Sequence, residues 1–364
     1  MRLSSIIKQF EQGYYQHYGK TSLPSHRKAL SALKDCRSEY SPVMKLQCNE
    51  CDQLDYLPHS CGHRHCPHCQ HHESQAWIDN QLKRRVKGNY VLITFTIPAE
   101  FRPLFYSQQR QCYTLMFRTV WETLQTFSQN DKKLQGTPGA IAVLHTHSRK
   151  LNYHPHIHVV MPMAAINKKQ RLWREKSGNF LFNHKALAKV FRARLLDGIK
   201  QLGLALPIKY PEKWVVDCKA VGTGDKAIIY LGRYLYRGVI REKDILKVEN
   251  GQVTFRYQDS ETKKTEIRKV SGGKFLWLLM QHVLPKGFRR TRNYGFLHPN
   301  SKLLRQIQLI TQVFIKPLKA KQRAKITCAC CGGEMKIVQT RIKSTQQRWR
   351  QTPALKPQGA TLVM

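Results

Sequence analysis

Tyr153-His154-Pro155-His156-Ile157-His158-Val159-Val160 is the stretch from which the rest of the chain is read. Successive side chains of a β-strand point to opposite faces, so His156 and His158 share one face while Ile157 turns to the core. Two imidazoles on a rigid strand are half of a metal site, and a catalytic divalent ion needs a third ligand. Just upstream, Ala140-Ile141-Ala142-Val143-Leu144 reads as a second strand, joined through a short basic turn into an antiparallel hairpin. His145 and His147 lie on that strand, on one face by their spacing, and either could swing over the pair. His145 is slightly favoured, but spacing does not separate them. His154, ahead of a proline, is expected to position the turn or to touch phosphate. Solvent-facing strand histidines would also give a His-x-His spacing, and the company of His145, His147 and His154 weighs against that.

A second feature complements the first. Tyr230-Leu231-Gly232-Arg233-Tyr234 sets two phenols four residues apart, on one face of a helix expected from Lys226 to about residue 240. Such pairs are usually packing aromatics, so the chemistry has to justify the stronger reading. A phenol with a pKa of about 10 is a poor nucleophile. Beside a divalent ion that polarises a phosphate, it becomes adequate. Lys226, Arg233 and Arg237 on the same helix could hold flanking phosphates.

Composition points the same way. The 364 residues carry 62 Lys and Arg against 23 Asp and Glu, a net charge of +39. A surface so basic repels itself unless a polyanion neutralises it, and nucleic acid is the usual one. The basic residues are spread along the chain, which disfavours a membrane-surface helix. No apolar run reaches the roughly 20 residues of a membrane span, and Met1-Arg2-Leu3-Ser4-Ser5-Ile6-Ile7-Lys8 lacks a secretory apolar core. A cytoplasmic, nucleoid-associated protein is expected, with its 11 cysteines reduced and available to metal.

The organisation follows from pattern changes. Residues 1 to about 35 read as helices, with Ile6, Phe10 and Tyr14 at helical spacing and a second start at Leu23-Pro24-Ser25-His26. Residues 36–75 hold six cysteines and little apolar periodicity. From about 88 strands begin: Val91, Ile93, Phe95 and Ile97 alternate with threonines. Helices are expected over 112–129 and 185–202, a strand at 214–218, a small hairpin over 253–268, and a helix through Phe275 and Leu279 ending at Pro285. The division is then 1–87, an N-terminal helical and zinc-binding module; 88–300, a catalytic domain; 301–335, an extension with Cys-x-x-Cys; and 336–364, a basic disordered tail. The class is α+β.

In the cysteine module, Cys48-x-x-Cys51 and Cys66-Pro67-His68-Cys69 are two Cys-x-x-Cys turns, the pattern of a tetrahedral zinc site. Cys36, Cys61, His26, His63 and His65 remain, enough for a second zinc, with Cys61 and His65 its leading candidates. The site would be structural or DNA-contacting. The C-terminal Cys328-Ala329-Cys330-Cys331 offers a single Cys-x-x-Cys with no evident partner, and no metal is expected there.

These segments together resemble the rolling-circle insertion-sequence transposases of the HUH two-tyrosine class, relatives of Helitrons and rolling-circle replication initiators. The resemblance rests on Cys61 to Cys69, Tyr153 to His158, Tyr230 to Tyr234, and His282-Val283-Leu284-Pro285-Lys286-Gly287-Phe288-Arg289-Arg290, in that order along the chain. It implies a central antiparallel sheet flanked by helices. It implies Tyr230 and Tyr234 as nucleophiles on single-stranded DNA, forming 5′-phosphotyrosine, with His156 and His158 binding Mg2+ or Mn2+. The third ligand varies in this class, so His145 stays one of two choices. The implied partners are single-stranded DNA at the ends of a mobile element, and target DNA. With no GxxxxGK[ST] loop present, any unwinding would fall to a host helicase or replication protein. Two other readings are a plasmid rolling-circle initiator or relaxase, and a non-catalytic zinc-dependent nucleic-acid-binding regulator.

Overall fold

In the computed structural model the described residues are 2–38, 40–236, 239–259, 262–313 and 326–342. The chain opens with helices α1 (Leu3–Tyr18) and α2 (Pro24–Lys34). A hairpin, β1 (Val43–Cys48) and β2 (Leu54–Pro58), follows, then α3 (His71–Leu82), which starts two residues beyond Cys69. Next come β3 (Tyr90–Thr96), α4 (Arg102–Ser107), α5 (Gln109–Asn130) and the hairpin of β4 (Thr137–His147) with β5 (Tyr153–Pro162). After β6 (Ala164–Asn167), β7 (Leu172–Glu175), α6 (His184–Gln201) and β8 (Val216–Ala220), α7 (Asp225–Tyr236) carries the tyrosines. The last third contains β9 (Ile245–Glu249), β10 (Gln252–Gln258), β11 (Thr265–Ser271), α8 (Gly272–Met280), β12 (Thr291–Gly295), α9 (Leu303–Ile310) and β13 (Met335–Ile342).

The large sheet runs β7-β6-β4-β5-β3-β8, with β12 also paired to β4. Its pairs are antiparallel. Alternation assigns the two faces. Val91, Ile93, Phe95, Ala142, Leu144, Ile157 and Val159 are buried in one core with Phe117 and Val120 of α5 and Leu187, Phe191 and Leu195 of α6. Ile141, Val143 and Val160 face the other way, into a core with Trp77 and Ile78 of α3 and Ile228, Leu231 and Leu235 of α7. By the period of two, His145, His156 and His158 belong to this second face. The sheet therefore presents its histidines on the side where α7 lies.

A further core joins regions distant in sequence. Leu3, Ile6 and Ile7 of α1 and Leu30 and Leu33 of α2 pack with Val253, Phe255, Phe275 and Leu276. This packing runs across the division expected at residue 87. The small hairpin expected over 253–268 is a three-stranded sheet, β11-β10-β9. The tail expected from 336 also needs correction. Residues up to Ile342 form β13, which pairs with β1 in a sheet ordered β13-β1-β2. Residues 343–364, the rest of that expected tail, lie outside the described residues. Among the described residues no helix is long and apolar enough to cross a membrane.

Candidate active site

The register of β4 on β5 sets His145 directly opposite His156, and β5 on β3 sets His158 opposite Thr94. Past His145 the ladder slips, and His147 is next opposite Tyr153. Pro155 sits in that interval and has no backbone N–H to give to a ladder, a reason for the pairing to shift there. The two candidate third ligands therefore end in different surroundings. The ring nitrogens of His145, His156 and His158 gather within 4.8 Å of one another. His147 instead packs its ring against Tyr234 at 5.5 Å and His282 at 5.2 Å.

Each of the three has one nitrogen free for an ion. Nδ1 of His156 donates to the carbonyl of His154 at 2.7 Å, and Nδ1 of His158 lies 2.9 Å from the Thr94 hydroxyl. Both contacts leave Nε2 pointing away from the strand, as in histidine metal sites held by an outer hydrogen bond. Nε2 of His145 is buried and has no hydrogen-bond partner among the described residues. An orphaned buried nitrogen is costly unless something binds it. The rings are also kept neutral. Burial pushes His156 down to about 4, against the opposing pull of its bond to the His154 carbonyl, and burial followed by the His156 imidazole pushes His158 to about 3. Burial puts His145 well below its ordinary value too. Neutral imidazole is the form that binds metal, so this triad fits a divalent ion.

On α7, Ala227, Ile228, Leu231 and Leu235 turn into the core, which leaves the face of Tyr230 and Tyr234 towards the histidines. Their rings are 5.2 Å apart. Tyr234 stacks on His145 at 4.9 Å, and Tyr230 is 43% exposed. Burial of its ring and the adjacent Tyr234 raise the Tyr230 pKa, while Arg149 pulls it back. α7 is seated by a glycine: a Cβ on Gly232 would lie 2.2 Å from Cγ1 of Ile78. The hydroxyl of Ser74 donates to the Gly232 carbonyl at 2.9 Å, and Arg290 donates to the Leu235 carbonyl at 2.7 Å.

Tyr230, Tyr234, His145, His156 and His158 line one cavity of about 420 Å³, together with Arg102, Arg149, Lys150 and His154. Arg149 was not singled out from the sequence, although the basic turn before β5 was its signal. His154 takes a hydrogen bond from Arg102 at 3.1 Å. Lys226 and Arg233 are exposed on α7, and Arg237 lies outside the described residues. The segment His282 to Arg290 docks beneath this chamber: His282 bonds the Leu151 carbonyl at 3.1 Å, and Arg64 donates to the carbonyls of Phe288 and Pro285.

The cysteines are grouped differently from expectation. Cys66 and Cys69 do not meet Cys48 and Cys51. They gather with Cys36 and Cys61, all four sulfurs within 4.8 Å of one another. Cys36, at the end of α2, lies 3.5 Å from Cys66 and 3.6 Å from Cys69, sulfur to sulfur. Cys48 and Cys51 stand instead beside Cys328 and Cys331. His65 belongs to neither group; its Nε2 accepts from the Leu284 backbone at 3.4 Å. Strand pairing explains the split, because β1 and β2 carry the first turn towards β13, away from Cys66. Within the first group, hydrogen bonds from Cys36 and Cys66 pull Cys61 down to about 4. A thiolate inside a four-sulfur cluster is the donor set that tetrahedral zinc uses.

Two protein families match this chain. One, described as "Transposase zinc-binding domain", covers residues 6–97; the other, described as "Putative transposase", covers residues 139–303. The second takes in both the histidine strand and the tyrosine helix. Together these matches and the relatives below support a rolling-circle insertion-sequence transposase with an N-terminal zinc module. The transposase matches support a nuclease or transferase activity, and the zinc-binding domain with its cysteine clusters supports structural zinc. Two relatives agree. "Putative transposase y4qJ" of Sinorhizobium fredii is 27% identical over 319 residues, spanning 81% of this transposase and 80% of the relative. The transposase for insertion sequence element IS801 of Pseudomonas savastanoi pv. phaseolicola is 27% identical over 271 residues, spanning 68% and 64%. Among solved structures, the metal-bound conjugative relaxase TrwC with oriT DNA aligns at 15% identity and a TM-score of 0.27, over 54% of this transposase and 73% of that chain.

Proposed function

We propose that the transposase cuts and rejoins single-stranded DNA through covalent tyrosine intermediates in the histidine–tyrosine chamber. The observation that carries this reading is the stacking of Tyr234 on His145 at 4.9 Å, with Tyr230 a further 5.2 Å from Tyr234. Two candidate nucleophiles thus adjoin a neutral metal-binding triad.

His145, His156 and His158 would hold Mg2+ or Mn2+, which when bound supplies charge neutralisation at the scissile phosphate. Tyr230, the more exposed phenol, meets an incoming strand first. Its oxygen forms a bond to phosphorus as the bond to the 3′ oxygen breaks, leaving a 5′-phosphotyrosine and a free 3′-hydroxyl. Tyr234 repeats the step on a second strand, or the 3′-hydroxyl attacks the covalent joint. The phosphodiester energy stays in the phosphotyrosine, so no nucleotide cofactor is needed. Arg149, Arg102 and Lys150 offer charge-assisted hydrogen bonds to flanking phosphates, with Lys226 and Arg233 on the outer face. The ends of the element and the target are the substrates of this reading, and a host helicase would supply single strands.

The experiment is a labelled single strand carrying candidate element ends, incubated with Mn2+ or EDTA and run under denaturing conditions. A metal-dependent band heavier by the mass of the protein is expected. Tyr230→Phe should remove it while preserving DNA binding. An adduct undiminished in that variant would transfer the first attack to Tyr234, and its persistence in the double variant would sink the tyrosine mechanism.

A further inference from the structure

Two Cys-x-x-Cys turns from opposite ends of the sequence meet beside the β13-β1-β2 sheet. Sγ of Cys48 lies 3.4 Å from that of Cys331, and Sγ of Cys51 lies 3.7 Å from that of Cys328. All four sulfurs are within 4.8 Å of one another. A disulfide would need about 2.0 Å. Four sulfurs at about 2.3 Å from a central ion would be about 3.8 Å apart, close to what is found.

The two turns have the same backbone design. In each, the N–H two residues after the first cysteine points at that cysteine's sulfur: Glu50 to Cys48 and Cys330 to Cys328, both at 3.4 Å. In each, the first cysteine's own N–H closes the turn on the carbonyl five residues later, Cys48 on Gln53 at 2.9 Å and Cys328 on Gly333 at 2.8 Å. In each, the residue four places on has a left-handed backbone, Asp52 at φ 52° and Gly332 at φ 75°. Gly333 also donates to Cys331 at 3.4 Å. Amides aimed at sulfur favour thiolate over thiol. The turns also press together, since a Cβ on Gly333 would lie 2.5 Å from Cγ of Glu50 and 3.2 Å from the Cys48 sulfur.

The apolar packing here is small. The buried cluster consists of Leu46, Cys48, Cys328 and Met335, and small cores commonly rely on a metal or another staple. We propose that Cys48, Cys51, Cys328 and Cys331 bind a zinc ion separate from that of the Cys36, Cys61, Cys66 and Cys69 group, and that it clamps β13 onto the N-terminal hairpin. Four soft thiolates in tetrahedral array select zinc among the available divalent ions. Cys328 and Cys331 lie beyond both matched family segments, which end at residues 97 and 303. The proposal is independent of the tyrosine chemistry.

Zinc per full-length chain, measured by inductively coupled plasma mass spectrometry, tests it. His156→Ala/His158→Ala serves as the parent, so that the chamber's imidazoles hold none. Two zinc ions per chain are expected in the parent, one after adding Cys328→Ser/Cys331→Ser, and two after adding Cys331→His, which replaces a thiolate by another zinc ligand. One ion in the parent, or two in the double serine variant, overturns the proposal. If the double serine variant fails to fold, the parent's count and that of Cys331→His still decide between one ion and two.

Discussion

His145, His156 and His158 stand on adjoining strands inside the large sheet, whereas Tyr230 and Tyr234 stand on a helix laid across it. The histidines are fixed from both sides: ladder pairing sets their height, and the His154 carbonyl and Thr94 hydroxyl set the rings of His156 and His158. The tyrosines have less around them. Tyr230 is 43% exposed, and the seat of α7 depends on its contact with α3 at Gly232. A metal site gains by being built in advance, because an ion tolerates little error in ligand position. A nucleophile that must take up a strand and release it gains by being accessible. The chamber pairs a prearranged wall with an open helix.

The sharpest way to break that contrast is to remove the wall. His158→Ala or His156→Ala should lower adduct formation by on the order of 10³-fold, the scale of a lost Lewis acid. Full activity at saturating Mn2+ would mean the triad is not the metal site. Next, Thr94→Val keeps the shape but removes the hydroxyl beside His158. Mn2+ affinity by calorimetry should weaken about 10–100-fold, with activity recovered at higher Mn2+. No change in affinity would show that the strand alone orients the ring.

Gly232→Ala tests the helix side. Its Cβ would collide with Ile78, so a stability loss of about 1–3 kcal/mol is expected in denaturant unfolding, along with slower adduct formation. Mn2+ affinity should be untouched, and a parallel loss of metal binding would mean that wall and helix are one unit. The smallest effect is with pH. Protons compete with metal for imidazole, and that competition starts only below the pKa of the ligand in the folded chain. With His156 held at about 4 and His158 at about 3, Mn2+ affinity should change less than about threefold from pH 7 down to about 5. A fall beginning near 6.5 would show that the rings are more open to water than the structure has them.

What could be read from sequence was local. The shared face of His156 and His158 follows from the period of a strand, and that of Tyr230 and Tyr234 from the turn of a helix. The meeting of strand and helix came through resemblance. The choice of His145 over His147 depends on a slip in the ladder around Pro155, which no alternation of side chains announces. Cysteine partnership was the least legible part. Cys48 and Cys331 are 283 residues apart, and adjacency in sequence favoured the wrong neighbours, Cys66 and Cys69. Cys36 was visible only as a spare, since its position at the end of α2 is set by how that helix packs. β9 was missed because its half-exposed residues lack a clean alternation.

The core shared by α1, α2, β10 and α8 has a consequence for how the protein is made. Leu3, Ile6 and Leu30 leave the ribosome before Phe255, Phe275 and Leu276, which pack with them and are more than two hundred residues behind. The faces of α1 and α2 that meet these residues must therefore wait until synthesis has passed Met280. A nascent chain stopped short of that point would present those faces to chaperones and proteases.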